Sequence, residues 1–190
     1  MAIDPSRFQT TSVVDTCAVW NILSSNCLYT GATVANCHFV ITSFVEYECL
    51  RKPRTRVRAS DQELVSRLKK EQGKGRFSVH RFDLDDLELA LGNQKRLGKG
   101  EISSLAFAIK FQRALLTDDQ DARKFAKQVG LPFVQTTPHL FSWLIYTSVL
   151  SDEDKMTVIR EHRELQGDLE KHLEEAYSIA VRYRDFGGNP

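Results

Sequence analysis

The stretch Thr11-Ser12-Val13-Val14-Asp15-Thr16-Cys17-Ala18-Val19-Trp20 decides the fold. Residues 12–15 read as a short buried strand ending on an acid, and residues 17–23 as the helix that follows. Working outward, residues 38–41 are a second strand. Thr42 or Ser43 then caps a helix running to about Leu50. Pro53 breaks the chain. Ser60 with Glu63 predicts a capping box for a helix carrying Leu64, Val65 and Leu68 on one face. Residues 73–82 alternate weakly, as an edge strand does, and residues 84–97 are expected to be helical. A turn at Gly98 and Gly100 opens a helix with Ile102, Leu105, Ala106 and Ile109 on its core side. Residues 114–116 form a strand, 120–129 a helix closed by Gly130, and 133–135 another strand. Strands alternating with helices imply an α/β domain, three layers deep as α/β/α, around a central parallel sheet.

Residues 151–190 have a different character. Two charged helices split by Gly167 carry one narrow apolar stripe of Leu169, Leu173, Ala176, Tyr177 and Ala180. The expected organisation is a domain over residues 1–150 with a helical extension over 151–190. The extension packs on the domain or forms a surface for a partner, which could be a second copy of the chain.

The chain has 190 residues, 42% hydrophobic and 27% charged, as expected of a globular protein with a full core. Its net charge is +1, yet the distribution is uneven. Between residues 51 and 76 stand Arg51, Lys52, Arg54, Arg56, Arg58 and five further bases, against Asp61, Glu63 and Glu71. After residue 151 acids outnumber bases. Such asymmetry points to a nucleic acid or an acidic partner. Cys17, Cys27, Cys37 and Cys49 include no CxxC pair, which argues against zinc and for buried free thiols in a reducing cytoplasm. The N-terminus lacks the apolar core of a signal peptide, and no run of ~18 apolar residues occurs, so neither secretion nor a membrane span is expected.

Four acidic positions fall where an apolar element meets a loop. They are Asp15, Glu48 or Glu46, Glu101, and Asp119 with its neighbours Asp118 and Asp121. Singly each has a plain explanation: aspartates cap helices, and a glutamate in a first turn suits the macrodipole. Gathered in one place, carboxylates repel by roughly 4 kcal/mol per pair at ~4 Å and an effective dielectric of ~20. A hard cation relieves that repulsion, so the set suggests a Mg²⁺ or Mn²⁺ site, and such sites commonly serve phosphodiester chemistry. Other catalytic motifs fail. The glycines at 92, 98 and 100 around Lys99 are misspaced for a phosphate loop, and no GxSxG, HExxH or GxGxxG occurs in a supporting context.

Taken in order, these motifs resemble those of PIN-domain ribonucleases, the fold of VapC-type toxins. Val13-Val14-Asp15-Thr16 matches the acid that closes the family's first strand. Thr42-Ser43 followed by Glu48-Cys49-Leu50 matches its second-helix glutamate, with Glu46 the alternate register. Gly100-Glu101 before Leu105-Ala106-Phe107-Ala108 matches its third acid, and Thr117-Asp118-Asp119 its fourth. The likeness covers residues 10–148. It implies a metal-dependent endoribonuclease in which Asp15, Glu101 and Asp119 hold the ion and Glu48 orders water. Attack is in line and leaves a 5′-phosphate and a 3′-hydroxyl. Arg51, Lys52, Arg54, Arg56 and Arg58 would contact the RNA backbone. It also implies a cytoplasmic toxin or defence effector restrained by an antitoxin. The alternative is a PIN-like module that binds RNA or protein without cutting.

Overall fold

The computed structural model describes residues 4–53, 58–81, 97–167 and 169–187. The helix expected over residues 84–97 lies outside them except for Leu97, which is a bend. Five strands form one parallel sheet: β1 (Thr11–Val14), β2 (His38–Thr42), β3 (Ser78–His80), β4 (Ala114–Leu116) and β5 (Val134–Gln135), in the order β3-β2-β1-β4-β5. β1 is central. Its Ser12 stands opposite Phe39 of β2 and Ala114 of β4.

Alternation along the strands sends side chains to opposite faces. Val13 and Leu115 pack with Leu105, Ala106, Phe107 and Ala126, beneath α5 (Lys99–Lys110) and α6 (Gln120–Gln128). Val14, Ile41 and Leu116 join the larger core on the other face. There α1 (Thr16–Ser24), α2 (Asn26–Val34), α4 (Ala59–Gly73) and α7 (Thr137–Tyr146) gather. α3 (Ser43–Leu50) follows β2 and packs against α5. The sheet is therefore covered on both faces, as parallel sheets require.

Two local expectations change. α4 is not capped by Ser60 with Glu63. Its N-cap lies two residues earlier, at Arg58, whose N–H donates to Asp61 Oδ2 at 3.0 Å. Glu63 instead takes Arg67 Nε at 2.8 Å. α2 carries no sequence expectation, because Gly31 and its β-branched neighbours are poor helix formers. Context forms it: the Ser25 hydroxyl accepts the Leu28 N–H at 3.0 Å, while Leu28 and Ala32 are buried. Gly31 lets Leu150 approach, since a Cβ there would lie 3.1 Å from Leu150 Cγ.

The C-terminal residues form α8 (Asp154–Leu165) and α9 (Glu170–Phe186). Both turn inward. Leu173, Ala176 and Ala180 of α9 are buried, with α9 lying along α7, and Val158, Ile159 and His162 of α8 are buried against α1, α2 and α4. These apolar residues belong to the same core as Val14 and Leu116. The small side chains Ala176 and Ala180 allow α9 to approach closely. No helix among the described residues is long and apolar enough to cross a membrane.

Candidate active site

β1 connects onward to β2 on one side, whereas β4 lies on its other side. The carboxyl ends of β1 and β4 thus flank a topological switch point, the place where open α/β sheets bind ligands. Asp15 and the segment 117–119 emerge there.

Asp15 is 1% exposed. Its Oδ1 caps α1 by accepting the Ala18 N–H at 2.8 Å, and its Oδ2 accepts from the Thr117 hydroxyl. The capping role and a site role therefore coincide. Burial pushes its pKa up to about 7. The two hydrogen bonds hold it down only in part, and the charges of Asp118 and Glu101 push it further up. Asp119 caps α6 in the same manner, accepting the Ala122 N–H at 2.7 Å through Oδ1, while its own N–H donates to Thr117 Oγ1 at 3.2 Å. Thr117 thus joins the two aspartates.

Glu101 sits in the first turn of α5, where its Oε2 accepts the Gly98 N–H at 2.6 Å. Burial raises its pKa, and the charges of Asp119 and Glu48 raise it further, against the Gly98 bond and the cation of Lys52. Glu48 accepts the Thr16 hydroxyl at 2.6 Å through Oε2 and the Gly100 N–H at 3.3 Å through Oε1. Gly100 leaves room for it: a Cβ there would stand 3.0 Å from Glu48 Cδ and 3.1 Å from Thr16 Oγ1.

The alternates have partners of their own, although Asp118 stays close enough for its charge to act on Asp15. Glu46 points to α4, where Gln72 Nε2 donates to it at 3.2 Å. Asp118 accepts from Asn21 Nδ2 at 2.8 Å, from the Thr137 N–H at 2.9 Å and from the Thr137 hydroxyl at 2.6 Å, so it ties α1 to the start of α7. Asp121 is exposed in the first turn of α6, 3.4 Å from Lys124. Cys17, at the second position of α1, registers the field of the set. Burial first, then Asp15, Glu101, Asp118 and Asp119 together, push its thiol up to about 12. It is exposed and Cys27 and Cys37 are half-buried, so only Cys49 meets the expectation of a buried thiol. Cys17 faces the site edge rather than the core.

Of the basic run, Arg51, Lys52 and Arg58 are exposed, whereas Arg54 and Arg56 fall outside the described residues. Lys52 is close enough to stabilise the Glu101 carboxylate. Arg67 is a structural residue: its Nη1 donates to the Leu23 carbonyl at 2.9 Å, at the C-terminus of α1, where a cation suits the helix dipole. Lys74 is paired with Glu71 at 2.6 Å. The sequence reading overlooked Thr16, Asn21, Thr117 and Gly100 as positioning residues. A threonine within two residues of the ends of β1 and β4 was the available signal for Thr16 and Thr117.

A family model described as a PIN domain matches residues 12–140. It runs from β1 into α7 and takes in every carboxylate placed above.

The chain belongs to the PIN-domain family.

No curated protein and no solved structure matches it. PIN domains are typically nucleases and generally use divalent metal ions. In this PIN domain, no three His, Cys, Asp or Glu side chains among the described residues are drawn together tightly enough to form a closed metal-ligand set. The donors nevertheless suit a hard cation. They are all carboxylate oxygens, they repel one another, and burial pushes the pKa of the most buried of them up to about 7. A divalent ion would replace the proton on Asp15 and cancel that repulsion.

Proposed function

We propose that this PIN domain is a Mg²⁺- or Mn²⁺-dependent endoribonuclease acting in the cytoplasm. The observation that carries the reading is the convergence of Asp15, Glu48, Glu101 and Asp119 at the switch point, where burial first, and then the charges of neighbouring carboxylates including Asp118, raise the pKa values of Asp15, Glu101 and Cys17. Asp15, Glu101 and Asp119 would hold the cation, which supplies Lewis acidity to a phosphate oxygen and acidifies a water. Glu48 is braced by the Thr16 hydroxyl and the Gly100 N–H, so its carboxylate is oriented in advance to accept a water proton. Thr117 fixes the relative placement of Asp15 and Asp119. Lys52, with Arg51 and Arg58, would meet the RNA backbone beside Glu101. Arg54 and Arg56 extend the same basic segment in sequence. Hydrolysis leaves a 5′-phosphate and a 3′-hydroxyl. The biology this chemistry fits best is a toxin or defence effector restrained by an inhibitory protein.

Incubation with total RNA and Mn²⁺, followed by mapping of the new ends, tests the reading. Discrete internal cuts with 5′-phosphate ends are expected, and Asp15→Asn should abolish them. Intact RNA, or ends bearing 2′,3′-cyclic phosphate, would overturn it.

A further inference from the structure

A groove of about 980 Å³ lies between α6 and α9, alongside β5. That is the upper end of the ~300–1,000 Å³ usual for ligand sites. It begins at Asp118, next to the candidate active site, and continues to His172, Glu175 and Ile179 on α9. The family match ends at residue 140, so α9 gives this groove a wall that the match does not include.

Its charges are unevenly committed. Arg7, Arg123 and Lys127 line it and make no ion pair among the described residues. Lys124 meets only the exposed Asp121, at 3.4 Å. The acids are occupied. Asp4 accepts from the Ser6 N–H at 3.1 Å and the Ser6 hydroxyl at 2.6 Å. Asp118 accepts from Asn21 and Thr137, and Glu175 stands 3.9 Å from His172. Arg7, Arg123 and Lys127 are thus the cations of the groove that form no ion pair among the described residues, in a lining they share with the carboxylates of Asp4, Asp118 and Glu175. Phe133 also lines it, half-buried and outside both apolar clusters. Spaced cations beside an uncommitted aromatic ring are the elements of a single-strand nucleic-acid site, with phosphates on the cations and a base on the ring.

We propose that the α6–α9 groove binds single-stranded RNA, holding the phosphates with Arg7, Arg123 and Lys127 and stacking one base on Phe133. The proposal rests on the nuclease reading for its direction, since the groove leads the strand to the carboxylates. It predicts that the strand crosses the site between this groove and Lys52, because β5 and β2 lie on opposite sides of the β1–β4 pair.

The test is fluorescence anisotropy of the full chain with labelled single-stranded RNA of about a dozen nucleotides. EDTA is present, so that binding is read apart from cleavage. The double variant Arg123→Gln/Lys127→Gln should bind roughly tenfold more weakly, and its salt slope should shrink by about 1.4, at ~0.7 per lost phosphate contact. Phe133→Ala should lose about tenfold with the salt slope unchanged. Arg113→Gln/Arg160→Gln, a charge-matched control away from the groove, should change binding less than about twofold. No binding by the wild type, equal losses in the control, or undiminished binding by the groove variants would overturn the proposal. So would polyglutamate competing as well as RNA at equal charge, which would assign the groove to an acidic protein segment. RNA held through the groove but left intact on addition of Mn²⁺ would instead defeat the nuclease reading and leave the groove standing.

Discussion

At Asp15, burial and charge pull the carboxyl in opposite directions. An unfolded aspartate ionises near 3.8, and the folded one near 7. Between those values the folded chain keeps a proton that the unfolded chain releases, so in metal-free buffer stability falls as pH rises across this window. The shift corresponds to roughly 4 kcal/mol. Asp15→Asn retains the cap and cannot ionise. Its melting temperature without metal should match the wild type near pH 4 and exceed it increasingly toward pH 7. A difference that does not grow over that range would mean the charge is compensated within the protein. At the same scale, Glu46 and Glu48 are two residues apart on α3 and so point ~200° away from each other. Glu48 reaches Thr16 and Gly100, and Glu46 reaches Gln72. Glu48→Gln should lower the cleavage rate at least ~100-fold, as loss of a general base does. Glu46→Gln should change it less than about twofold. The reverse pattern would transfer the role to Glu46.

Among the elements, α8 and α9 contribute most of what the motif-bearing segment cannot supply itself. Deleting them uncovers the face of α7 along which α9 lies, and removes Val158, Ile159, Leu173, Ala176 and Ala180 from the shared core. At about 1.5–3 kcal/mol for each large apolar side chain, the loss rivals the whole stability of an average domain, ~5–15 kcal/mol. Polar contacts tie the same elements. Buried His162 meets the Ser24 hydroxyl at 2.6 Å through Nδ1 and accepts the Leu169 N–H at 3.1 Å through Nε2, so one ring joins α1, α8 and the turn into α9. Chain truncated after Leu150 is therefore expected to be insoluble, or to lack a cooperative thermal transition. A soluble truncated protein that melts like the full chain would show that the tail is an appendage.

For the whole molecule, the repulsion stored in the carboxylate set predicts linkage between metal and fold. A ligand that binds only the folded state at ~100 times its Kd adds about 2.7 kcal/mol. In a chain of this size that raises Tm by about 5–10 °C. Thermal scans with Mn²⁺ should show this rise in the wild type, and Asp15→Asn should show little of it. Equal rises in both proteins would place the cation elsewhere. A binding module without catalysis has no need of the linkage, so the same scan, with calorimetry, separates the two functional classes.

The sequence by itself determined the class of fold and the order of its acids. Short apolar runs ending on Asp15 and on Thr117-Asp118-Asp119, each followed by a helical pattern, already specify strands that deliver carboxylates to one sheet edge, because local pattern and capping chemistry act within a few residues. Tertiary structure decided the rest. Asp118 and Asp119 are adjacent and alike in the chain, yet one binds Thr137 from a distant helix and the other caps the helix that directly follows it. Cap preferences did not reveal α2, which depends on Leu28, Ala32 and the approach of Leu150 to Gly31. The narrow stripe on α9 does not name its partner, and only packing shows it to be α7. The groove beside β5 joins Arg7, Arg123 and His172, which are far apart along the chain. Periodicity reports which face of an element is apolar. Which element covers that face, and which charges meet there, depends on contacts between residues distant in sequence, and no local pattern encodes them.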